Sequence, residues 1–173
     1  NHGILFFDEV NRCPEKIQNS LLQVLEEGQA TIGGYIIDIP SRFIFIGTMN
    51  PEEVAATEKL SDVFLDRLDV VHMSYPDAIE IEYEIVTTKG EKLLVEFSQK
   101  TIMIMLSFVR GIRENKDVQK KPSVRVSIGL YERAQANAFL NKRKRVLQKD
   151  VDDAIISVLS HRIELKPSVK YLQ

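Results

Sequence analysis

Three short stretches of this sequence place residues suited to phosphate chemistry where a folded chain could gather them. Asp8 and Glu9 follow the apolar run Gly3 to Phe7 (GILFF). Asn50 lies in Gly47-Thr48-Met49-Asn50-Pro51, directly after a second apolar run, Phe43 to Ile46. Arg67 stands in Asp66-Arg67-Leu68-Asp69, just ahead of a third, Val70 to Met73. An apolar strand ending in Asp-Glu suits ATP hydrolysis. The first carboxylate can hold Mg²⁺, usually through water, and the second can orient and polarise an attacking water. Asn50 offers an uncharged donor and acceptor for the same water. An arginine can neutralise charge building on leaving phosphates and can act from another subunit. Each signal is weak alone. Asp-Glu after a strand is more often a helix-capping pair, Asn-Pro more often a turn, and Arg67 between two aspartates more often a surface ion pair. The ordered set carries the weight.

Continuous apolar runs of this length read as strands buried on both faces, as in a parallel sheet. Ligands bind such sheets beyond the carboxyl ends of the strands, which is where Asp8, Glu9 and Asn50 fall. Between the first two strands, Pro14 opens a helical pattern carried by Ile17, Leu21, Leu22 and Leu25, and Gly28 is placed to end it. Ala30-Thr31-Ile32 and Ile36 to Ile39 flank Gly33-Gly34 and read as a hairpin closed by Pro40. A loop with Glu52, Glu53, Thr57 and Glu58 leads to a short helix at 61–65, and Val70 to Met73 reads as a third strand. After Pro76 the apolar period lengthens to that of helices, expected at 77–88, 98–114, 127–141 and 150–161, with a polar loop over 115–126. Asp150 is read as the N-cap of the last, with Val151, Ala154, Ile155, Val158 and Leu159 on one face. The fold class is therefore α/β followed by all-α, divided into 1–75 and 76–173.

Composition narrows the functions this chain can have. It has 173 residues, enough for one domain or two small ones, with 44% hydrophobic and 28% charged residues. A net charge of -2 argues against a dedicated nucleic-acid binder, and Lys142 to Arg145 reads as a solvated helix end. The single cysteine, Cys13, excludes a disulfide framework and reads as a filler or cap residue in a reducing, cytoplasmic setting. His2, His72 and His161 lack metal-ligand spacing and read as structural or exposed. No apolar run approaches the roughly 20 residues of a membrane span. The chain opens on Asn1 and enters an apolar strand almost at once, which points to a piece of a longer protein.

FFDEVNRCPEKIQNSLLQVLEEGQATIGG resembles the Walker-B segment, following helix and hairpin of the MoxR branch of AAA+ ATPases, a branch related to the magnesium-chelatase ATPase subunit. FIGTMNPEE resembles that family's sensor 1 strand, LSDVFLDRLDVVHMSYP its arginine-finger segment, and KPSVRVSIGLYERAQANAFLNKRKRVLQKDVDDAIISVLSHRIEL its lid. The resemblance implies the C-terminal part of a AAA+ P-loop α/β core plus a helical lid. It assigns Asp8 to Mg²⁺, Glu9 to the attacking water, Asn50 to sensor 1, Arg67 to the arginine finger and Arg125 to sensor 2, with ATP and Mg²⁺ as cofactors. It further implies a homo-oligomeric ring, a hexamer, with a protein client and a partner bearing a von Willebrand factor A domain. The sequence departs from the family in having Val124 where a Pro commonly precedes the sensor 2 arginine, and in a shorter stretch between Asn50 and Asp66-Arg67.

No GxxxxGK[ST] occurs in the chain. These residues by themselves are therefore expected to bind ATP poorly and to be inactive. The edges of the GILFF strand are expected to be exposed and able to pair with another copy. The hairpin is read equally as a connector and as an element reaching a client. Two alternatives stand beside the ATPase: a non-catalytic assembly module, and a nucleic-acid motor supported only by the basic run at 142–145.

Overall fold

The computed structural model describes residues 2–28, 30–32, 35–37, 42–50 and 60–170. The hairpin tip Gly33-Gly34, Pro40 and the loop 51–59 lie outside the described residues. The chain forms two compact units, Asn1–His72 and Met73–Gln173.

In the first unit, β1 (His2–Phe7) and β4 (Arg42–Gly47) pair in parallel, with Ile4 opposite Ile44, Phe6 opposite Ile46 and Phe7 opposite Gly47. Side chains alternate across a strand, so Phe7 and Phe45 face one way and Ile4, Phe6, Ile44 and Ile46 the other. The first face is covered. Phe7, Phe45, Leu21 and Leu22 pack on buried Val10, Leu60 and Phe64, and the rings of Phe45 and Phe64 meet edge-on at 6.1 Å. Between the two strands lie α1 (Glu15–Glu27) and the antiparallel pair β2 (Ala30–Ile32) and β3 (Tyr35–Ile37), in which Ala30 faces Ile37. Pro14 stands immediately before α1, and Gly28 ends it in the left-handed region at φ 64, where a side chain would be strained.

The expected third strand does not form. Residues 69–76 carry no ladder, and Val71 and Met73 are 77% and 90% exposed. A strand exists only by pairing its backbone groups with a neighbour, and the described parallel sheet contains only β1 and β4. Ahead of this segment, α2 (Asp62–Leu65) is capped by Ser61, whose hydroxyl accepts from Phe64 N–H at 3.2 Å.

The second unit is helical. It contains α3 (Ile79–Lys89), α4 (Gln99–Glu114), α5 (Val124–Leu140), α6 (Gln148–Leu159) and the short α7 (Pro167–Lys170), with a small antiparallel pair, β5 (Val118–Lys120) and β6 (Glu164–Leu165). All four helix starts differ from expectation: α3 begins at Ile79 rather than 77 and α4 at Gln99 rather than 98. α5 begins at Val124 rather than 127, one residue after Ser123. α6 begins at Gln148, so Asp150 is not its N-cap; it sits in the first turn, fully buried, and its carboxylate accepts from Leu147 N–H at 2.9 Å. Arg143 also pairs with that carboxylate. The basic run follows the end of α5 with Lys142, Lys144 and Arg145 exposed, as expected of a solvated helix end, and only Arg143 is drawn into a pair; Lys144 C=O accepts from Glu96 N–H at 2.8 Å.

One apolar cluster fills the helical unit, drawing Val86 from α3, Leu106 and Val109 from α4, Leu130 and Ala134 from α5, and Ala154 and Val158 from α6. A fully buried carboxylate, Glu82, lies beside it. Arg113 donates two hydrogen bonds to it, both at 2.7 Å, and Ser127 Oγ donates a third at 2.6 Å. Arg113 also donates to Pro122 C=O at 2.8 Å and stacks over the Tyr75 ring at 4.7 Å. Burial alone would raise the Glu82 pKa. The hydrogen bonds from Arg113 and Ser127, the Arg113 charge and a bond from Arg110 outweigh it and hold the carboxyl below the ordinary glutamate range.

Candidate active site at a joint strand end

The in-register pairing of Phe7 with Gly47 makes Asp8 and Thr48 leave the sheet side by side. The ladder continues past the strand ends: Thr48 N–H donates to Phe7 C=O at 3.0 Å and Val10 N–H to Thr48 C=O at 2.9 Å. The Thr48 hydroxyl donates to Asp8 Oδ1 at 2.5 Å and accepts from Glu9 N–H at 2.9 Å. A Cβ on Gly47 would lie 3.1 Å from the Phe45 ring and 3.4 Å from Val10.

Glu9 adopts φ 55, ψ 51. Among the described non-glycine residues only Glu9 and Lys142 have positive φ. That conformation costs a non-glycine residue of order 1–3 kcal/mol and collects at functional sites. Glu9 Oε2 lies 3.0 Å from Arg12 Nε, with both side chains nearly half exposed. A short 3-10 turn, Val10–Arg12, follows and carries buried Asn11 across to the second strand end, where its Nδ2 donates to Asn50 C=O at 3.3 Å. Asp8, Glu9 and Asn50 are thereby brought to one locality.

Arg67 is placed elsewhere in the same unit. At the C-terminal end of α2 it donates to Val63 C=O at 2.6 Å and pairs with Glu26 of α1 at 2.7 Å. Both side chains are about a third or more exposed, so this pair contributes at most about 1 kcal/mol. A cleft of about 760 Å³ opens beside it, lined by Glu26, Arg67, Gly47 and Val71 among others; Asp8, Glu9 and Asn50 do not line it. Arg125 belongs to the helical unit. It is the second residue of α5 and exposed, and its side chain makes no hydrogen bond or ion pair among the described residues.

Thr48 and Asn11 are the polar side chains here that sequence reasoning passed over. Thr48 is visible in the sequence only as the residue after Gly47. Its relation to Asp8 depends on strand register, which two apolar runs do not specify.

Comparison with known proteins gives the family of the chain. Residues 2–70 match the family described as "ATPase family associated with various cellular activities (AAA)", and residues 113–170 match the AAA lid domain. The chain belongs to the AAA+ ATPases, as the later part of their core followed by a lid. Within that class its relatives are of the MoxR and magnesium-chelatase ChlI kind. It is 27% identical to Chaperone MoxR1 of Mycobacterium tuberculosis, over 94% of this chain and 51% of that protein. It is 29% identical to a magnesium-chelatase subunit ChlI homolog of Methanocaldococcus jannaschii, over 96% of this chain and 52% of that protein. Identity is also 29% to YeaC of Bacillus subtilis, over 98% and 60%. The chain thus spans a little over half the length of these relatives. Among solved structures, the RuvB Holliday junction branch migration motor of Thermotoga maritima aligns with a TM-score of 0.63 at 19% identity, over 89% of this chain and 44% of that one; this likeness concerns the fold alone.

Proposed function

We propose that these residues supply the hydrolytic and lid portions of a Mg-ATP-hydrolysing ring ATPase that acts as a chaperone-like remodelling or metal-insertion factor. The observation that carries this reading is the joint strand end beyond the carboxyl ends of two parallel strands, where Thr48 is bonded to Asp8 and Glu9 and Asn11 to the Asn50 backbone.

The strand end fits Mg²⁺. Asp8 is exposed, and Thr48 engages only one of its carboxylate oxygens. Among the described residues no group of three His, Cys, Asp or Glu forms a closed cage. Mg²⁺ commonly takes one or two carboxylates and completes its shell with water and phosphate oxygens. When bound, it would neutralise charge developing on the phosphates. Glu9 orients the attacking water, for which its carboxylate exchanges the half-exposed Arg12 pair for that water at a cost of about 0–1 kcal/mol. Asn50 holds the γ-phosphate and the same water. Arg125 contacts phosphate from the lid, and Arg67 leaves Glu26 to reach the ATP of a neighbouring subunit.

The same proposal covers a cytoplasmic homo-hexamer, a protein client and a partner with a von Willebrand factor A domain. These residues alone, without a GxxxxGK[ST] loop, are proposed to be inactive. A nucleic-acid motor is the weaker reading, because its sole sequence support, the basic run, spends Arg143 on Asp150. In the full-length protein, Glu9→Gln should lower steady-state ATP hydrolysis by about 10²-fold or more, the range of a positioned general base. Hydrolysis at the native rate would remove Glu9 from this role.

A further inference from the structure

We propose that Thr48 is a positioning residue for hydrolysis, whose single hydroxyl sets both carboxylates of the strand end. The inference rests on the reading of Asp8 and Glu9 given above. A threonine hydroxyl has one proton to donate and lone pairs to accept with. Here the proton goes to Asp8 Oδ1 and a lone pair takes Glu9 N–H. The two bonds do different things. The first fixes the rotation of the Asp8 carboxylate and leaves its second oxygen for a metal or its water. The second anchors the backbone of Glu9 while that residue holds a left-handed conformation its side chain disfavours.

Geometry makes this specific to the hydroxyl. Thr48 backbone already belongs to the extended ladder, donating to Phe7 and accepting from Val10, so a residue of any type there would continue the strand pair. Only a side-chain hydroxyl adds the link to Asp8 and Glu9. Thr48→Val keeps the branched shape and the ladder but orphans the Glu9 amide and frees the Asp8 carboxylate to rotate. Groups that orient a metal ligand typically contribute 10–100-fold to metal affinity or activity.

The test is ATP hydrolysis by full-length Thr48→Val, Thr48→Ser and Glu9→Gln proteins, titrated with Mg²⁺, together with equilibrium binding of Mg²⁺ in the presence of a non-hydrolysable ATP analogue, which should weaken in Thr48→Val and recover in Thr48→Ser. Thr48→Val should lower kcat by about 10–100-fold and raise the half-saturating Mg²⁺ concentration, while Thr48→Ser restores both. Native kcat and native Mg²⁺ dependence in a folded Thr48→Val protein would overturn the proposal. So would Thr48→Ser behaving like Thr48→Val. Should Thr48→Val fail to fold, Thr48→Ser against Thr48→Ala decides, since both lack the methyl group and only serine keeps the hydroxyl; equal activity and equal Mg²⁺ dependence overturn the idea. Glu9→Gln separates the two levels. If it hydrolyses ATP at the native rate, the site reading itself falls. If it is silent and Thr48→Val behaves as native, only the role of Thr48 falls.

Discussion

The helical unit and the strand unit treat buried and exposed groups in opposite ways. Helices α3 to α6 share one apolar cluster, and the charge beside it, Glu82, is closed by Arg113, Ser127 and Arg110. The strand unit buries Val10, Leu60 and Phe64, yet leaves Ile4, Phe6, Ile44 and Ile46 exposed on one face, by 44% to 66%. Its carboxylates, Asp8 and Glu9, stand at the surface with capacity to spare. A closed polar network stabilises one arrangement of helices, whereas an open one is available to a ligand. The difference separates the part of the chain that holds itself together from the part proposed to hold Mg²⁺ and the attacking water.

The sharpest way to break this comparison is to open the closed network. Glu82→Ala leaves Arg113 buried without its partner and should cost about 3–5 kcal/mol, read from urea unfolding with amide exchange followed in α3 to α5. A negligible cost would show that the network does not hold the helices. Next in size is Gly47→Ala in the strand unit. The added Cβ would lie 3.1 Å from the Phe45 ring, and overpacking of this kind costs about 1–3 kcal/mol. Amide exchange should rise in β4 and stay unchanged in α5.

Acid sharpens the comparison further. The folded Glu82 pKa is lowered, while the unfolded value is near the ordinary one of about 4.3. Its stabilisation is therefore fully present above the unfolded value and is lost as pH falls through the folded one. The urea midpoint of the helical unit should hold steady down to about pH 5 and fall below it, and the gap between native protein and Glu82→Gln should narrow over the same range. A gap that does not change with pH would contradict the coupling. The smallest effect is expected on the bare sheet face. Ile44 is 64% exposed, so Ile44→Ser should change stability by no more than about 0.5 kcal/mol; a larger loss in the urea midpoint would mean that this face is covered.

Legibility in the sequence follows the same division. GILFF and FIFIG announce two strands by their unbroken apolar runs, although the expected burial on both faces is not met, since Ile4, Phe6, Ile44 and Ile46 are exposed; Gly28 marks the end of α1 because only glycine accepts its φ of 64 without strain. Asp8, Glu9 and Asn50 were readable as strand-end residues for that reason. Thr48 was not, since its role arises from register. Asp150 reads as a cap in the sequence because a carboxylate in the first turn can reach back to the cap amide and carries the same signal. Val70 to Met73 has strand composition but no described neighbour to pair with. Glu82 gives no hint of burial, because its partner Arg113 lies 31 residues away on another helix.

The assignment of the strand end is tested most directly by a single turnover of full-length protein loaded with Mg-ATP. In Glu9→Gln protein the nucleotide should bind with native affinity and remain uncleaved. Cleavage at the native rate would contradict the assignment of hydrolysis to this strand end.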